Sequence, residues 1–433
     1  MKNKLIVLSF DALQSNDVDI LERLPYCAEL FKDAAIVKSV REVYPTLTYP
    51  IHTSIITGQP PAVHGIFHNM RSSLAPECPD WNIMGSDWYW EKKYVKAKTL
   101  VDAAWEAGRE AATVSWPVTA GDARGINLPE IWPIRGEDPR ALFARTASPR
   151  AMELYYDRFY RHFDWKNNED LVEYAVEAGI DIARSHAPDL LFCHVVHLDH
   201  FRHVYGDASR EVAVCLRMLD VIAGRFVQAT KDAGTFEDTN FVILGDHGQI
   251  DIDALFNINV LLREAGLIDA DANGTAASYR AYSFSAGFSA HINLVEGADE
   301  ALRTRVHETL LNIQARFPAY IERVYTADEA LSEEGLAGSF SFVVEGARGT
   351  QFMNELTGSV VIPRCSAAYR SYAANHGHHP SKGFKPPFIA FGPDIRPGVR
   401  VETGDMLDEC PTLAALAGLE MPGLPGKPFD ILK

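Results

Sequence analysis

Hydrophobic residues recur along this chain in two rhythms. Short, mostly apolar runs occupy Leu5–Phe10, Ile36–Val40, Ala111–Trp116, Leu190–Leu198 and Phe241–Leu244. Apolar runs of this length, bounded by polar or turn residues, predict strands buried on both faces. Between them the spacing changes. Val212, Cys215, Leu219, Ile222 and Phe226 recur at three- and four-residue steps, which predicts an amphipathic helix. Asp17–Lys32, Thr48–Thr57, Thr99–Ala107 and Leu171–Ser185 also read as helical, with Gly58 and Gly108 as stops. Strands alternating with helices imply parallel βαβ units, covered by helices on both faces.

The texture shifts near residue 270. Ser278–Leu294, Ile321–Tyr325, Ser339–Val344 and Gly358–Ile362 read as strands separated by turns, with one helix, Ala301–Phe317, among them. The segment 265–370 is therefore expected to be an inserted α+β cap, with 1–264 and 371–433 forming the core. Pro387–Phe391 returns as a strand of the main sheet, and a helix around Pro411–Ala417 closes the chain.

Composition narrows the class. A chain of 433 residues with 47% hydrophobic and 10% aromatic residues has material for a large buried core. A formal charge of −17 argues against nucleic acid or an anionic membrane as a partner reached by simple electrostatics. It leaves room for a small anionic substrate, because bound cations invert the field of an acidic site. Met1-Lys2-Asn3-Lys4 runs straight into the first strand, and no run of about 18 apolar residues is present to span a bilayer. The six cysteines are scattered without a Cys-x-x-Cys pair, and Cys193 and Cys215 fall in apolar patterns. Reduced thiols and a cytoplasmic location are the expectation.

Candidate chemistry gathers where the strand-like runs end. Asp11 follows the first run. Asp199 follows the fourth, with His203 one helical turn further on. Asp246 and His247 stand between Gly245 and Gly248 after Phe241–Leu244. Open α/β sheets carry their sites at the carboxyl ends of strands, and such carboxylates and imidazoles suit a divalent metal. Each has a plainer counterpart: Asp11 and Asp199 as helix N-caps, Asp246-His247 as a polar turn. Thr48, just before Pro50 at a predicted helix start, is a candidate nucleophile where the helix dipole favours an alkoxide or a phosphate. An N-capping threonine has the same local signature. Asn69 offers an amide to a phosphoryl oxygen, or serves a loop turn. His376, His378 and His379 crowd a loop before Phe388, while His194, His197 and His200 read as packing or supporting groups.

In this order the segments resemble the alkaline phosphatase superfamily, most closely its nucleotide pyrophosphatase/phosphodiesterase branch. The resemblance is carried by Ser9-Phe10-Asp11; by Pro45-Thr46-Leu47-Thr48-Tyr49-Pro50 with Thr57-Gly58 and His64-Gly65-Ile66-Phe67-His68-Asn69; and by Ser115-Trp116-Pro117. It continues through Asp199-x-x-x-His203-Val204-Tyr205-Gly206, Gly245-Asp246-His247-Gly248, and His376-Gly377 followed by Phe388-Ile389-Ala390. It spans roughly 1–250 and 370–430. Leu47 departs from the family pattern, which commonly has a basic residue there. His376-Gly377-His378 departs from its His-Gly-Tyr, leaving His376 and His378 both open as the last ligand.

The resemblance implies a three-layer α/β/α sandwich with a mostly parallel sheet and an inserted cap. It implies two divalent cations, zinc first and manganese or iron next, one held by Asp199, His203 and His376. The other would be held by Asp11, Asp246, His247 and Thr48. It implies a phosphodiester or pyrophosphate hydrolase acting through a phospho-threonine at Thr48, with Asn69 steadying the phosphoryl oxygen and a nucleotide as a candidate substrate. Tyr49, Tyr205 and Trp116 are its candidate substrate contacts, and Trp88 and Trp90 could line the leaving-group side. A phosphonoacetate-hydrolase-like C–P hydrolase and a phosphomonoesterase fit the same residues. A non-catalytic metal-binding scaffold is the alternative from another class. No Cys-x-Pro-x-Arg stands for a sulfatase, and phosphate mutases use serine where Thr48 stands.

Overall fold

The computed structural model describes residues 3–71, 87–133, 137–159, 168–270 and 276–433. Cys78 lies outside them. Eight strands form the central sheet: β1 (Lys4–Phe10), β2 (Ala35–Arg41), β3 (Ala111–Val114), β4 (Ile126–Leu128), β5 (Leu190–Val195), β6 (Thr239–Leu244), and late in the chain Phe388–Phe391 and Arg400–Asp405. β1 lies between β5 and β6 and pairs with both in parallel, and β3 pairs in parallel with β5 and β4. Phe388–Phe391 alone runs against its neighbours β2 and β6, while Arg400–Asp405 pairs in parallel with β2 at the edge. The sheet is thus mostly parallel.

Alternation along the strands loads both faces. Ile6, Leu8, Phe10, Leu191, Cys193 and Ile243 pack on one side with Ala175, Ala178 and Ile182 and with Cys215, Leu219 and Phe226. Those partners belong to Asn168–Ser185 and Arg210–Asp232. Leu5, Val7, Phe192, Val242 and Leu244 pack on the other side with Ile51, Ile55, Leu100 and Leu413. Their helices are α1 (Thr48–Thr57), Leu100–Glu106 and Glu409–Ala417. Two apolar faces each covered by helices make the three-layer α/β/α sandwich expected from the sequence.

Three boundaries differ from the sequence reading. The Leu190–Leu198 run splits: the strand ends at Val195, and α2 (His197–Tyr205) begins two residues later, so Leu198 and Asp199 are helical. The Asp17–Lys32 helix is broken into Val18–Leu21 and Pro25–Leu30, because Pro25 forces Leu24 into an extended conformation. Ser278–Leu294 becomes two antiparallel strands, β7 (Ala281–Ser285) and β8 (Ser289–Leu294), joined by a turn at Ala286–Phe288, after a short strand at Ala276–Tyr279.

β7 and β8 combine with β9 (Ile321–Thr326) and β10 (Phe342–Gly346) into an antiparallel sheet of order β7-β8-β10-β9. This second lobe has its own core, in which Phe284, Ile292, Val324 and Val344 pack with Val306, Leu310 and Ile313 of the helix Glu300–Arg316. Phe256, Ile258, Leu261 and Leu262, upstream of residue 265, join that core. A helix the periodicity did not predict, Ala327–Glu334, starts on a capping box in which Thr326 and Glu329 bond each other's backbone. Among the described residues, no helix is long and apolar enough to cross a membrane.

Candidate active site

The ends of β1, β5 and β6 lie side by side, so the residues just beyond them are neighbours despite their distance in sequence. Asp11 leaves β1 through a turn in which Ala12 adopts φ +58. The backbone N–H of Ala12 donates to Asp246 Oδ1 at 2.9 Å, tying the β1 turn to the β6 turn. That β6 turn needs its glycines. A Cβ on Gly245 would lie 2.1 Å from the Leu13 carbonyl oxygen, and one on Gly248 would lie 2.1 Å from that of Phe384. Asp199 stands in the first turn of α2, and His203 follows on the same face with Nε2 3.2 Å from Asp199 Oδ2.

The capping readings of Thr48 and Asp199 do not hold. The N-cap of α1 is Leu47, with no side-chain cap, so the Thr48 hydroxyl is free of capping duty. It lies 3.2 Å from His247 Nε2 instead. The N-cap of α2 is Val196, also without a side-chain cap, so the Asp199 carboxylate does not cap its helix. Asp11 Oδ2 lies 3.2 Å from His194 Nε2, and its Oδ1 lies 3.4 Å from His247 Nε2.

Two groups of ligand-type atoms emerge, each confined within 4.8 Å: Asp199, His203 and His376, and Asp11, Asp199 and His247. Asp246 Oδ2 adjoins the second group, 3.3 Å from His247 Nε2. Asp199 stands in both groups, whereas the sequence resemblance assigned it to the first alone. Of the two open histidines, His376 joins, with Nε2 3.7 Å from Asp199 Oδ1. His378 is engaged elsewhere, its Nε2 3.1 Å from the Lys382 carbonyl oxygen and its Nδ1 3.3 Å from Thr46 Oγ1.

The donor set itself argues for cations. His203 Nδ1 bonds the Ala374 carbonyl at 2.8 Å, and His376 Nδ1 bonds the Thr46 carbonyl at 3.0 Å. A carbonyl only accepts, so each ring carries a proton on Nδ1 and presents Nε2 to the carboxylates. Nε2 of His203 and of His376 faces Asp199, and Nε2 of His247 faces Asp11 and Asp246. Asp11 Oδ1 and Asp246 Oδ2 are buried without a hydrogen-bond partner. Burial, with their mutual repulsion and that of Asp199, drives the Asp11 carboxyl well above its usual range; burial also raises Asp246. Burial pushes Asp199 up as well, but His203, His376 and His247 outweigh it and hold that carboxyl low. Burial lowers His247 to about 4. Buried acceptors crowded together in this way fit divalent cations.

Support comes from residues the sequence reading did not single out. His52, one turn after Thr48 on α1, bonds the Thr48 carbonyl through Nδ1 at 2.8 Å and meets Ser9 Oγ through Nε2 at 2.9 Å. Ser9 Oγ lies 3.3 Å from His194 Nδ1, which closes a buried chain running from α1 back to Asp11. The signal for His52 was its i+4 spacing from Thr48. Gln249 Nε2 donates to Asp199 Oδ1 at 2.5 Å, and the backbone N–H of Tyr49 donates to Asn69 Oδ1 at 2.9 Å. That last bond ties Asn69 to the first turn of α1, beside Thr48.

These groups floor a cavity of about 680 Å³. Thr48, Asp11, Asn69, Asp199, His203 and His376 line it. Tyr49 and Trp88 line it too, their ring centroids 5.3 Å apart. Tyr205 is half exposed and Trp116 is fully buried, packed edge-on to His52 at 4.8 Å; neither lines the cavity, and Trp90 does not either. The second lobe supplies the opposite wall through Ser285–Gly287 and Gln351–Glu355.

A three-layer sandwich with paired acceptor clusters at the strand ends defines the alkaline-phosphatase-like class of fold. The chain belongs to the type I phosphodiesterase / nucleotide pyrophosphatase family, whose sequence model matches residues 5–381. It is 24% identical over 232 residues to human ectonucleotide pyrophosphatase/phosphodiesterase family member 1, a match covering 52% of this chain and 21% of that protein. It is 25% identical over 264 residues to bis(5'-adenosyl)-triphosphatase ENPP4 of Pongo abelii, covering 60% of this chain and 51% of that protein. The chain thus aligns with about half or less of the length of these relatives. Its fold matches murine ectonucleotide pyrophosphatase/phosphodiesterase 5, solved as an inactive variant in complex with AMP, at a TM-score of 0.69 and 18% identity over 100% of both chains.

Proposed function

We propose that this chain is a two-metal hydrolase of phosphodiester or pyrophosphate bonds, with Thr48 as nucleophile and a nucleotide-like phosphorus ester as substrate. The observation that carries the reading is the placement of the Thr48 hydroxyl. It sits at the positive end of α1, 3.2 Å from His247 Nε2, beside two groups of ligand atoms that share Asp199. Family membership and the nucleotide-directed names of the relatives support the substrate class.

Asp199, His203 and His376 would hold one cation, and Asp11, Asp246, His247 and Thr48 the other. Their mixture of imidazole and carboxylate suits zinc, with manganese or iron next. Bound cations would neutralise phosphoryl oxygens and favour the alkoxide of a coordinated hydroxyl. The chain's own residues then divide the work. Thr48 Oγ1 attacks phosphorus, the bond to the leaving oxygen breaks, and phosphorus is left esterified to Thr48. Water attacks that phosphorus in turn and frees the threonine hydroxyl. Asn69, fixed by the Tyr49 backbone, donates to the oxygen on which charge builds. Among the described residues all five cysteines are free thiols, which supports a reducing, cytoplasmic setting.

The test is turnover of bis-p-nitrophenyl phosphate with added zinc or manganese by wild type and Thr48→Ala. The reading expects activity that falls by roughly 10³-fold or more in the variant. A parallel panel of nucleotide sugars, dinucleotide polyphosphates, p-nitrophenyl phosphate and phosphonoacetate fixes the bond cleaved. Preference for the monoester or the phosphonate would overturn the diesterase assignment, and turnover independent of Thr48 would overturn the mechanism.

A further inference from the structure

One wall of the cavity has no part in the phosphorus chemistry. Tyr49, Trp88, Glu130 and Trp132 build it. The Trp88 and Trp132 ring centroids are 4.8 Å apart, and Trp90 backs Trp132 at 5.5 Å. Aromatic faces arranged like this receive planar rings or cationic groups.

A single carboxyl is set among these rings. Glu130 follows β4 through Pro129 and lines the cavity. Its Oε2 is buried and completes no hydrogen bond. The Tyr49 hydroxyl is close enough that each group shifts the other's ionisation, yet Tyr49 Oη is also buried without completing a bond, as is the indole N–H of Trp90. No lysine or arginine lines the cavity among the described residues. Burial, reinforced by Asp246 and Asp199, outweighs the hydrogen-bonding influence of the Tyr49 hydroxyl and pushes the Glu130 carboxyl up to about 8. A buried carboxyl oxygen without a partner is costly, and this one belongs to a residue that lines the space a ligand enters.

We infer that Glu130 is a specificity-determining residue: it accepts a hydrogen bond from an amino N–H on the organic half of the substrate, held against the Tyr49, Trp88 and Trp132 rings. The inference rests on the phosphodiesterase reading, since it needs an organic group esterified to phosphorus. An amino group, above all a cationic one, matches the site: a bound donor favours the ionised form of the raised Glu130 carboxyl, the carboxylate then accepts in a charge-assisted bond, and aromatic faces favour positive partial charge. The same N–H chemistry comes from the exocyclic amine of a nucleobase or from the ammonium of an aminoalkyl ester.

Three matched pairs of p-nitrophenyl esters separate those sources: adenosine against purine riboside 5'-phosphate, guanosine against inosine 5'-phosphate, and phosphoethanolamine against phosphocholine. The readout is the ratio of kcat/KM within each pair, which a general loss of activity does not move. Wild type is expected to favour the amino-bearing member of at least one pair by about 10-fold or more, since a site built to bond a donor rejects the analogue lacking it. That ratio should fall toward unity in both Glu130→Gln and Glu130→Ala. Flat ratios in wild type, or a preference that survives both substitutions, would overturn the role. Should Glu130→Ala fail to fold, Glu130→Gln keeps the side-chain volume and the wild-type ratios still decide. Absence of Thr48-dependent turnover on every ester removes the activity itself, whereas turnover with flat pairs removes only the role of Glu130.

Discussion

The parallel sheet and the antiparallel lobe meet at one cavity but bring different things to it. Between them the two ligand-type groups draw on the ends of β1 and β6, on α2 and on the loop at His376, whereas the lobe adds no residue to either group. The lobe offers the β7–β8 turn and Gln351–Glu355 as a wall. Chemistry therefore belongs with the rigid strand ends, and the fit of the substrate's organic half with the lobe and the aromatic wall. Strand ends buried between two helix layers hold side chains to the tolerance that a two-cation site needs. A wall carried on a separate small sheet can be rebuilt without disturbing them.

The division is broken most sharply at Asp199, the residue common to both groups. Asp199→Ala is expected to lower bound metal and to reduce turnover by more than about 100-fold, the upper range for losing a mere supporting partner of a ligand. Metal content and kcat measured on the same preparation check this. Next, Asn69→Ala should cost roughly 10²-fold in kcat with little change in KM, since its donor acts where charge develops.

On the lobe side, Met353 lines the cavity and packs beside Leu255 and Phe288, outside both ligand groups. Met353→Ala should raise KM roughly 3–10-fold while kcat stays within about twofold. A kcat loss as large as that of Asn69→Ala would place catalysis partly in the lobe and erase the contrast.

Far from the cavity floor, Asp102 offers a control. Burial pushes its carboxyl up, but Lys92, Arg124 and Thr99 outweigh that and hold it well below the usual range. Arg124 Nη2 lies 2.6 Å from Asp102 Oδ1, and the Thr99 hydroxyl donates to Oδ2 at 2.7 Å. A depressed carboxyl stabilises the fold above its unfolded value of about 3.9, and that contribution is lost as pH falls toward the folded value. Asp102→Asn should therefore cost about 1–2 kcal/mol at pH 7, and less near pH 3, by urea denaturation, with kcat unchanged.

What could be read in the sequence follows the same division. Central strands buried on both faces are continuous apolar runs, so β1, β5 and β6 were legible, and the polar residues closing them stood out. The edge strand Arg400–Asp405 was not, because its Arg400, Glu402 and Asp405 give no apolar rhythm. The end of the fourth run was misplaced because Val196, His197 and Leu198 continue the apolar run into α2. In the lobe, Ala327–Glu334 has only Ala330 buried, so periodicity was silent, although Thr326 and Glu329 spelled out a capping box. The roles of Ser9 and Glu130 were hidden for another reason: each acts through contacts made only once distant segments pack, as does the His52 bond to Ser9. Tyr205 and Trp116, read as substrate contacts from their motifs, face solvent and core respectively, which linear spacing does not reveal.

The most direct test of the twin-cation pocket is a crystal of the zinc-loaded protein with anomalous data collected at the metal edge. Two peaks per chain are predicted, one bounded by Asp199, His203 and His376 and one by Asp11, Asp246, His247 and Thr48, about 4 Å apart. A single peak, or density that leaves Thr48 and Asp11 untouched, would contradict it.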